Sequence, residues 1–249
     1  MSVKITTKEN QAKGVFAGGA ILENKPIGFP QDGGQQKPYS NLFYWANATT
    51  DVGGLIGEHP HKMFEIMSFV LEGEIEHYDS KFKKWLPLKA GDVQIIRSRG
   101  GISHAERLLE NSRIFQIWFD PNIRESMLKE ASYDDYKSED LLSIVENGIS
   151  TKNYVGNGGP IEMDTEGVEI KELKLSENDN HIKLDTSKVH SFYVLDGITE
   201  INGQLAKADD FIIVENESEI NIETEGAKLF LISTPQKLSY KTYIELVNN

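Results

Sequence analysis

Short apolar runs alternate with polar turns along the chain in a pattern typical of β-strands. Residues 68–76, SFVLEGEIE, form two such runs around a glycine, and residues 192–200, FYVLDGITE, repeat the order. A second pair of blocks follows in the same order, KAGDVQII at residues 89–96 and KADDFIIV at residues 207–214. Short β-branched and aromatic runs bounded by Gly, Asp or Asn predict strands joined by turns. Two matched sets in one order predict an internal duplication.

One segment departs from this strand pattern. Residues 122–147 carry apolar side chains at the three- and four-residue spacing of a helix. These apolar positions are Ile123, Met127 and Leu128, followed by Leu141, Leu142 and Val145. Pro121 precedes the segment and Asn147 can end a helix, so we predict two short helices interrupted at residues 133–136.

The duplication and the helical segment together predict the organisation of the chain. Many short strands in two matched sets are typical of β-sandwiches and barrels, so the predicted fold class is all-β. We assign a first barrel to residues 1–121, a helical linker to residues 122–148 and a second barrel to residues 149–249.

Composition narrows the chemistry that the chain can perform. It contains no cysteine, so thiol nucleophiles and disulfides are excluded, and any metal must be bound by histidine and carboxylate. The formal charge of -13 argues against direct nucleic-acid binding, which needs clustered positive charge. No apolar run is long enough to span a bilayer, and the first residues lack the apolar core of a secretory signal. We therefore expect a cytoplasmic protein.

Two short motifs carry the candidate metal chemistry. The motif HPH contributes His59 and His61, and the motif HAE contributes His104 and Glu106. Side chains alternate between the two faces of a strand, so both members of each motif enter the same space. If the two strands face one another in a barrel, four ligands converge on one point. Imidazole suits iron, nickel, copper, zinc or manganese, and the carboxylate favours the harder ions.

The other histidines are interpreted as structural. His77 shares a strand face with Ile75 and could line the barrel, but a packed hairpin histidine is the simpler interpretation. His181 and His190 have no ligand partner two residues further along the chain, and we interpret both as structural or exposed.

Several motifs in the first half of the chain resemble one family. They are His59-Pro60-His61 with Phe64-Glu65, Leu71-Glu72-Gly73, His77 with Asp79-Ser80, Gly91-Asp92-Val93-Gln94, and Gly101-Ile102 with His104-Ala105-Glu106. This set is similar to the pirin family and covers residues 57–120. The resemblance implies two cupin barrels (double-stranded β-helices, or jelly rolls) in tandem, with a short helical linker. It also implies one divalent metal, Fe(II) ahead of Mn, Ni, Co, Cu or Zn, held by His59, His61, His104 and Glu106.

Three places near the expected pocket depart from the family pattern. Pirins commonly have Arg-Gly where this chain has Lys62 and Met63, and they usually have tryptophan where it has Ile95. The approach to the site at residues 47–58 also differs. The resemblance therefore supports the assignment of the metal ligands more strongly than the assignment of the substrate.

Glu65 is a second candidate carboxylate. Its even separation from His61 keeps it on the same face of a regular strand, and single-barrel cupins often use a glutamate at this place as a ligand. The pirin pattern assigns the carboxylate to the HAE motif instead. Glu106 therefore ranks first, and Glu65 is interpreted as a supporting residue or substitute ligand.

The second barrel is expected to lack a metal site. Counting from its repeated glycine places Lys183 and Asp185 at the positions of the HPH histidines. Counting from its repeated turn places Ile222 and Thr224 at the positions of the HAE motif. Neither pair offers histidine, so a scaffolding or partner-binding role is predicted.

The resemblance implies quercetin 2,3-dioxygenase activity on a flavonol or related small aromatic substrate, with dioxygen as co-substrate. Glu106 is the candidate catalytic base. Phe64, Phe115 and Trp118 are candidate pocket walls, although core packing is the preferred interpretation for each. The same ligands would serve a metal-binding regulator or sensor that acts through protein partners, or a sugar or organic-acid isomerase. We expect no membrane or direct nucleic-acid partner, and a monomer is compatible with two barrels in one chain.

Overall fold

The computed structural model describes residues 2–176 and 180–248 of the chain. The strands up to residue 119 are β1 (Val3–Thr6), β2 (Ala12–Phe16), β3 (Ile21–Ile27), β4 (Leu42–Thr50), β5 (Gly54–His61), β6 (Glu65–Glu72), β7 (Glu74–Asp79), β8 (Trp85–Lys89), β9 (Val93–Arg97), β10 (Ile102–Leu108) and β11 (Ser112–Phe119). The later strands are β12 (Ser132–Tyr136), β13 (Ser143–Glu146), β14 (Ile149–Val155), β15 (Glu169–Leu175), β16 (Asn180–Lys183), β17 (Lys188–Ile201), β18 (Gln204–Lys207), β19 (Phe211–Glu215) and β20 (Glu219–Pro235). The α-helices are α1 (Ile123–Ser126) and α2 (Tyr243–Val247). Neither of these described helices is long and apolar enough to cross a membrane.

The chain divides into two compact units, which we call the first and the second barrel. The first barrel consists of Gln11–Asp140, Met163–Thr165 and Ser239–Asn249. The second barrel consists of Met1–Asn10, Leu141–Glu162 and Glu166–Leu238. The two ends of the chain are thus exchanged, because strand β1 belongs to the second barrel and helix α2 to the first. The predicted domains follow one another in sequence order and therefore do not include this exchange.

Two antiparallel sheets form the first barrel. The larger sheet has the strand order β12-β9-β6-β11-β4-β3-β2, and the smaller sheet has the order β5-β10-β7-β8. Alternate side chains of both sheets meet in the interior, where Val70, Ile75, Leu88 and Ile114 pack in one fully buried cluster. The smaller sheet contains β5 and β10, the strands that carry the two metal motifs.

The second barrel is built on one antiparallel sheet of nine strands. Its main path is β1-β19-β17-β20-β15-β14-β13, with β16 paired to β20 and β18 paired to β17. Its core includes Phe192, Val194, Leu229 and Leu231, all at most 1% exposed. The predicted all-β class and the two sets of repeated strands are therefore confirmed.

The two repeated glycines have similar backbone conformations, Gly73 between β6 and β7 and Gly197 at an irregularity within β17. Gly73 has a φ of +72° and Gly197 has a φ of +85°, a backbone conformation that side chains disfavour. A Cβ atom at Gly73 would lie 2.7 Å from the backbone oxygen of Asn111, and one at Gly197 would lie 2.3 Å from that of Gly226. Glycine is required at both positions by conformation and by space.

The predicted helical linker at residues 122–148 is wrong. Only Ile123–Ser126 is α-helical, whereas Ser132–Tyr136 pairs with β9 and Ser143–Glu146 pairs with β14. The side chains of β9 hold the former segment, since Arg97 Nη1 donates to Asp134 and Gln94 Nε2 donates to Asp135. Helix propensity is a weak preference, and these strand pairings outweigh it.

Candidate metal centre

The two metal motifs lie on neighbouring strands of the smaller sheet. Strand β5 pairs antiparallel with β10, which places His104 opposite His59. The register shifts by one residue before Glu106, which lies opposite Ile56. This bulge gives β5 one extra residue beside the motif. Bulges beside functional sites re-aim side chains in this way.

The structure brings the three motif histidines together. The ring centroids of His59, His61 and His104 are 4.6 Å apart in each of the three pairs. One ring nitrogen of each lies within 4.8 Å of those of the other two. The closest pair is His59 Nε2 and His104 Nε2, which are 3.1 Å apart. Three imidazoles therefore converge on one point.

Burial disfavours the charged form of His61 and of His104. His61 is 8% exposed and His104 is fully buried, while His59 is partly exposed. Burial, together with the neighbouring imidazoles of His104 and His59, lowers the pKa of His61 to about 3. Burial likewise lowers the pKa of His104 well below the ordinary histidine value. Neutral imidazole is the form that binds a metal.

The free atoms of the cluster fit a metal. His59 Nδ1 lies 2.8 Å from the backbone oxygen of Gly57, which fixes a proton on Nδ1. The other ring nitrogen, Nε2, is therefore the atom that can bind a metal. Among the described residues, the buried Nε2 of His61 has no hydrogen-bond partner. Three imidazole nitrogens are a donor set suited to iron, nickel, copper or zinc. The site therefore fits the predicted divalent metal.

Glu106 is fully buried on β10, but the structure does not bring it into the three-histidine group. Its Oε1 accepts a hydrogen bond from Ser68 Oγ at 3.0 Å, and its Oε2 accepts one from Gln116 Nε2 at 2.6 Å. Gln116 Oε1 in turn accepts a bond of 3.2 Å from Trp118 Nε1. Side chains of β6 and β11 in the larger sheet thus fix the direction of the carboxylate. The role of Glu106 as fourth ligand and base stays a prediction.

A buried charged cluster on the same barrel was not predicted from the sequence. Lys25 Nζ lies 3.6 Å from a carboxylate oxygen of Glu23 and 3.0 Å from one of Asp32. The hydroxyl of Tyr44 lies 3.4 Å from Glu23. Burial raises the pKa of Glu23, Lys25 lowers it, and the charge of Glu106 raises it further. A Glu-x-Lys pair resembles the solvent face of a strand, and the sequence signal for its burial is that Glu23 and Lys25 share a strand face with Ile21.

An aromatic cavity adjoins the histidine cluster. It has a volume of about 580 Å³ and is lined by Phe29, Phe43, Phe64, Trp118 and Tyr243, among others. The Trp118 indole lies edge-on to the His61 imidazole, with ring centroids 4.8 Å apart at 88°. Its size and apolar walls are typical of small-molecule pockets. One wall of the cavity is therefore also a wall of the metal centre.

Phe64 and Trp118 line the cavity, the role that ranked second to core packing in the sequence analysis, whereas Phe115 has the preferred core role. Phe115 is fully buried and packs edge-on against Trp45, with ring centroids 5.3 Å apart. Register explains the difference, because Phe115 is an odd number of residues from Trp118 on β11 and points to the other face.

Glu65 contacts a different part of the first barrel. Its Oε1 accepts from the backbone N–H of Asp164, and its Oε2 accepts from the backbone N–H of Thr165, both at 2.8 Å. The hydroxyl of Thr165 donates to Oε2 as well, at 2.5 Å. The carboxylate therefore anchors the segment Met163–Thr165, and the interpretation of Glu65 as a substitute ligand is wrong.

The remaining histidines differ in their surroundings. His181 is exposed and lies 3.8 Å from Glu219. His190 is buried, with Nδ1 2.8 Å from the hydroxyl of Ser233 and Nε2 3.0 Å from the backbone oxygen of Asp185. Both agree with the structural interpretation. His77 is fully buried and lies beside His104, with ring centroids 5.5 Å apart.

The four second-barrel positions matched to the metal motifs have structural surroundings. Lys183 is exposed, and the Asp185 carboxylate accepts from the backbone and hydroxyl of Ser187. Ile222 is fully buried in the core, and the Thr224 hydroxyl donates to a backbone oxygen of β17. The prediction that this barrel binds no metal stays a prediction.

Comparison with known proteins identifies the family. The pirin family model matches residues 33–119 of the chain. A pirin-like protein of Caulobacter vibrioides is 32% identical over 181 residues, which cover 70% of this chain and 75% of that protein. This chain belongs to the pirin family. The resemblance noted in its motifs is thereby confirmed.

Solved structures share the fold of this chain. The bacterial pirin YhhW of Escherichia coli, in complex with nickel(II), matches with a TM-score of 0.75 at 21% identity, over 94% of this chain and all of that one. A quercetin 2,3-dioxygenase of Acinetobacter baumannii matches with a TM-score of 0.80 at 19% identity, over 99% of this chain and 86% of that one. These likenesses confirm the tandem cupin architecture.

Proposed function

We propose that this pirin is a metal-dependent dioxygenase of the quercetin 2,3-dioxygenase type, acting on flavonols or related aromatic hydroxyl compounds. The contact between Trp118 and His61 carries the proposal, because it joins an aromatic cavity to a cluster of three imidazoles. A planar substrate packed between aromatic walls would present a hydroxyl at its edge to the histidines. The quercetin 2,3-dioxygenase of Acinetobacter baumannii, with the same fold, supports the assignment.

His59, His61 and His104 are the proposed ligands of one divalent metal, with Glu106 as the proposed fourth. When bound, the metal supplies Lewis acidity toward the substrate oxygen and a common site for substrate and dioxygen. Fe(II) is the first choice, and Mn, Ni, Co, Cu and Zn are the alternatives. The nickel(II) in the YhhW structure supports a divalent ion in this fold.

The protein side chains have distinct proposed tasks. The Glu106 carboxylate accepts the proton of the substrate hydroxyl, and the hydrogen bonds from Ser68 and Gln116 hold it in one direction for this step. The aromatic walls, including Phe64 and Trp118, orient the ring system and exclude water from the reacting edge.

Anaerobic loading tests the proposal. Purified protein is loaded separately with Fe(II), Mn, Co, Ni or Cu, mixed with quercetin and exposed to oxygen, while flavonol absorbance, oxygen uptake and carbon monoxide release are followed. Loss of absorbance with carbon monoxide release is expected for at least one metal. His61→Ala and His104→Ala should abolish both metal content and turnover, with folding checked by circular dichroism.

His181→Ala is the matched control, because this exposed histidine belongs to the second barrel and is not one of the three clustered histidines. It should retain metal and turnover. Metal binding without turnover of any aromatic hydroxyl compound would contradict the enzymatic assignment and favour a metal-binding regulator. Metal content that survives His61→Ala and His104→Ala would contradict the ligand set.

A further inference from the structure

His77 and Asp79 of β7 form a second pair of polar side chains, beside the HAE motif of β10. Strand β7 pairs antiparallel with β10, which places Asp79 opposite His104 and His77 opposite Glu106. Residues opposite each other in an antiparallel pair point to the same face, with Cβ atoms roughly 5 Å apart. His77 and Asp79 therefore face the same side of the smaller sheet as the HAE motif.

This pair is buried and in contact with His104. His77 and Asp79 are each 0% exposed, and His77 Nε2 lies 3.6 Å from Asp79 Oδ2. The His77 and His104 ring centroids are 5.5 Å apart. On its other side the His77 ring packs near Tyr133, with ring centroids 5.7 Å apart.

The atoms between these side chains lack hydrogen-bond partners among the described residues. They are both ring nitrogens of His77, Oδ2 of Asp79 and Nδ1 of His104. A buried polar atom without a partner costs about 1–3 kcal/mol, so such atoms rarely collect where packing alone is needed. The other Asp79 oxygen is satisfied, since Oδ1 accepts from the backbone N–H groups of Lys81 and Phe82. The turn thus fixes the carboxylate.

The proton on His104 requires an acceptor on this side. His104 Nε2 lies 3.1 Å from His59 Nε2 and faces the cluster, so a ligand role for Nε2 leaves the proton on Nδ1. His59 meets the same requirement through the backbone oxygen of Gly57. For His104, the unpartnered acceptor on the strand opposite is Asp79 Oδ2.

We propose that Asp79 and His77 are positioning residues for His104. With the metal bound, Asp79 Oδ2 would accept a hydrogen bond from His104 Nδ1–H and one from His77 Nε2–H, two bonds that small movements of these unpartnered side chains would close. The pair thereby selects the His104 tautomer that offers Nε2 to the metal. This inference rests on the proposed metal site and adds to it the residues that orient one ligand.

Cobalt binding tests this role without relying on turnover. Asp79→Asn keeps an oxygen for the Lys81 and Phe82 amides but places no carboxylate behind His104. His77→Phe keeps the ring packing and removes both nitrogens. Each variant is expected to weaken Co(II) affinity by roughly 10–100-fold, in the range typical of outer ligand partners. Affinity is measured by competition with a chelator, and the Co(II) absorption bands are expected to shift.

A conservative variant and a control separate positioning from folding. His77→Gln retains an N–H donor for Asp79 and should recover part of the lost affinity. His190→Phe removes a buried histidine of the second barrel and should leave Co(II) affinity and spectrum unchanged. Circular dichroism identifies any variant that fails to fold. If His77→Phe fails to fold, the Co(II) affinities of Asp79→Asn and His77→Gln test the positioning role.

The outcomes distinguish this inference from the proposed enzymatic function. Wild-type affinity and an unchanged spectrum in Asp79→Asn and His77→Phe would overturn the positioning role and leave the dioxygenase proposal standing. If both variants weaken Co(II) binding as expected but the wild-type protein turns over no aromatic hydroxyl compound, the positioning role is supported and the dioxygenase proposal is overturned. A wild-type protein that binds no Co(II) would overturn both.

Discussion

Trp118 lies edge-on to His61, with an interplanar angle of 88°. The same indole donates its N–H to Gln116, which in turn donates to Glu106. One side chain therefore contacts the cavity, a proposed ligand and, through one intermediary, the proposed base. A ligand in the cavity that moved the indole would therefore change the surroundings of both His61 and Glu106.

Removal of the shared wall should weaken aromatic ligands more than metal. Trp118→Ala is expected to raise the Kd for quercetin by about tenfold or more, because stacking and burial of one aromatic ring are lost. Trp118→Phe should retain most of the affinity. Fluorescence titration measures ligand binding and elemental analysis measures metal. Trp85→Ala, which alters a tryptophan that stacks on Arg107 rather than lining the cavity, should behave as wild type.

Loss of the Gln116 amide should act on Glu106 and not on folding. Gln116→Leu removes the donor to Glu106 Oε2, so the carboxylate loses one of its two fixed contacts. We expect kcat to fall by roughly tenfold, while metal content stays near that of the wild type. Gln94→Leu removes a similar bond to Asp135 and is the matched control. Equal losses in both variants would contradict a specific role for Gln116.

Substitution of Glu65 should lower the free energy of unfolding and leave the metal content unchanged. Glu65→Ala strands the N–H groups of Asp164 and Thr165 and leaves Arg97 with one carboxylate fewer. The free energy of unfolding is expected to fall by about 2–4 kcal/mol, as for the loss of a buried hydrogen-bonded charge. Chemical denaturation measures it. The exposed Glu72→Ala should change it by less than about 1 kcal/mol, and metal loss in Glu65→Ala would revive its role as a ligand.

Asp120 predicts a dependence of stability on pH. Its carboxylate accepts the N–H of Tyr243, and burial raises its pKa to about 6. Because the folded pKa lies above the unfolded value, the stabilising contribution is complete below about pH 4 and is lost as pH rises through 6. Relative to Asp120→Asn, the wild type should lose roughly 2–3 kcal/mol between pH 4 and 8. Urea denaturation across this range checks it, and parallel profiles would contradict the assignment.

The parts of the site that follow from strand periodicity were predictable from the sequence. His59 and His61 share a face because side chains alternate on a strand, and the HAE motif obeys the same rule. The direction of the Glu106 carboxylate was not predictable, since it depends on Ser68 and Gln116 from the larger sheet of the barrel. The aromatic cavity likewise depends on Tyr243, which no local pattern connects to the first barrel.

The linker shows why a local pattern can mislead. Leu141 and Leu142 follow Ile123 at a spacing that suits a helix, but only the first of the two leucines is buried. Asp134 and Asp135 instead find donors on β9, and this long-range bonding selects a strand. Spacing alone carries no information about such partners.

The exchange of chain ends has a consequence for biosynthesis. Tyr243 of α2 completes the cavity, yet it is synthesised long after the histidines of β5 and β10. The pocket can therefore close only after residue 243 has been made, and a nascent chain that stops short of α2 would carry the three imidazoles beside an open wall.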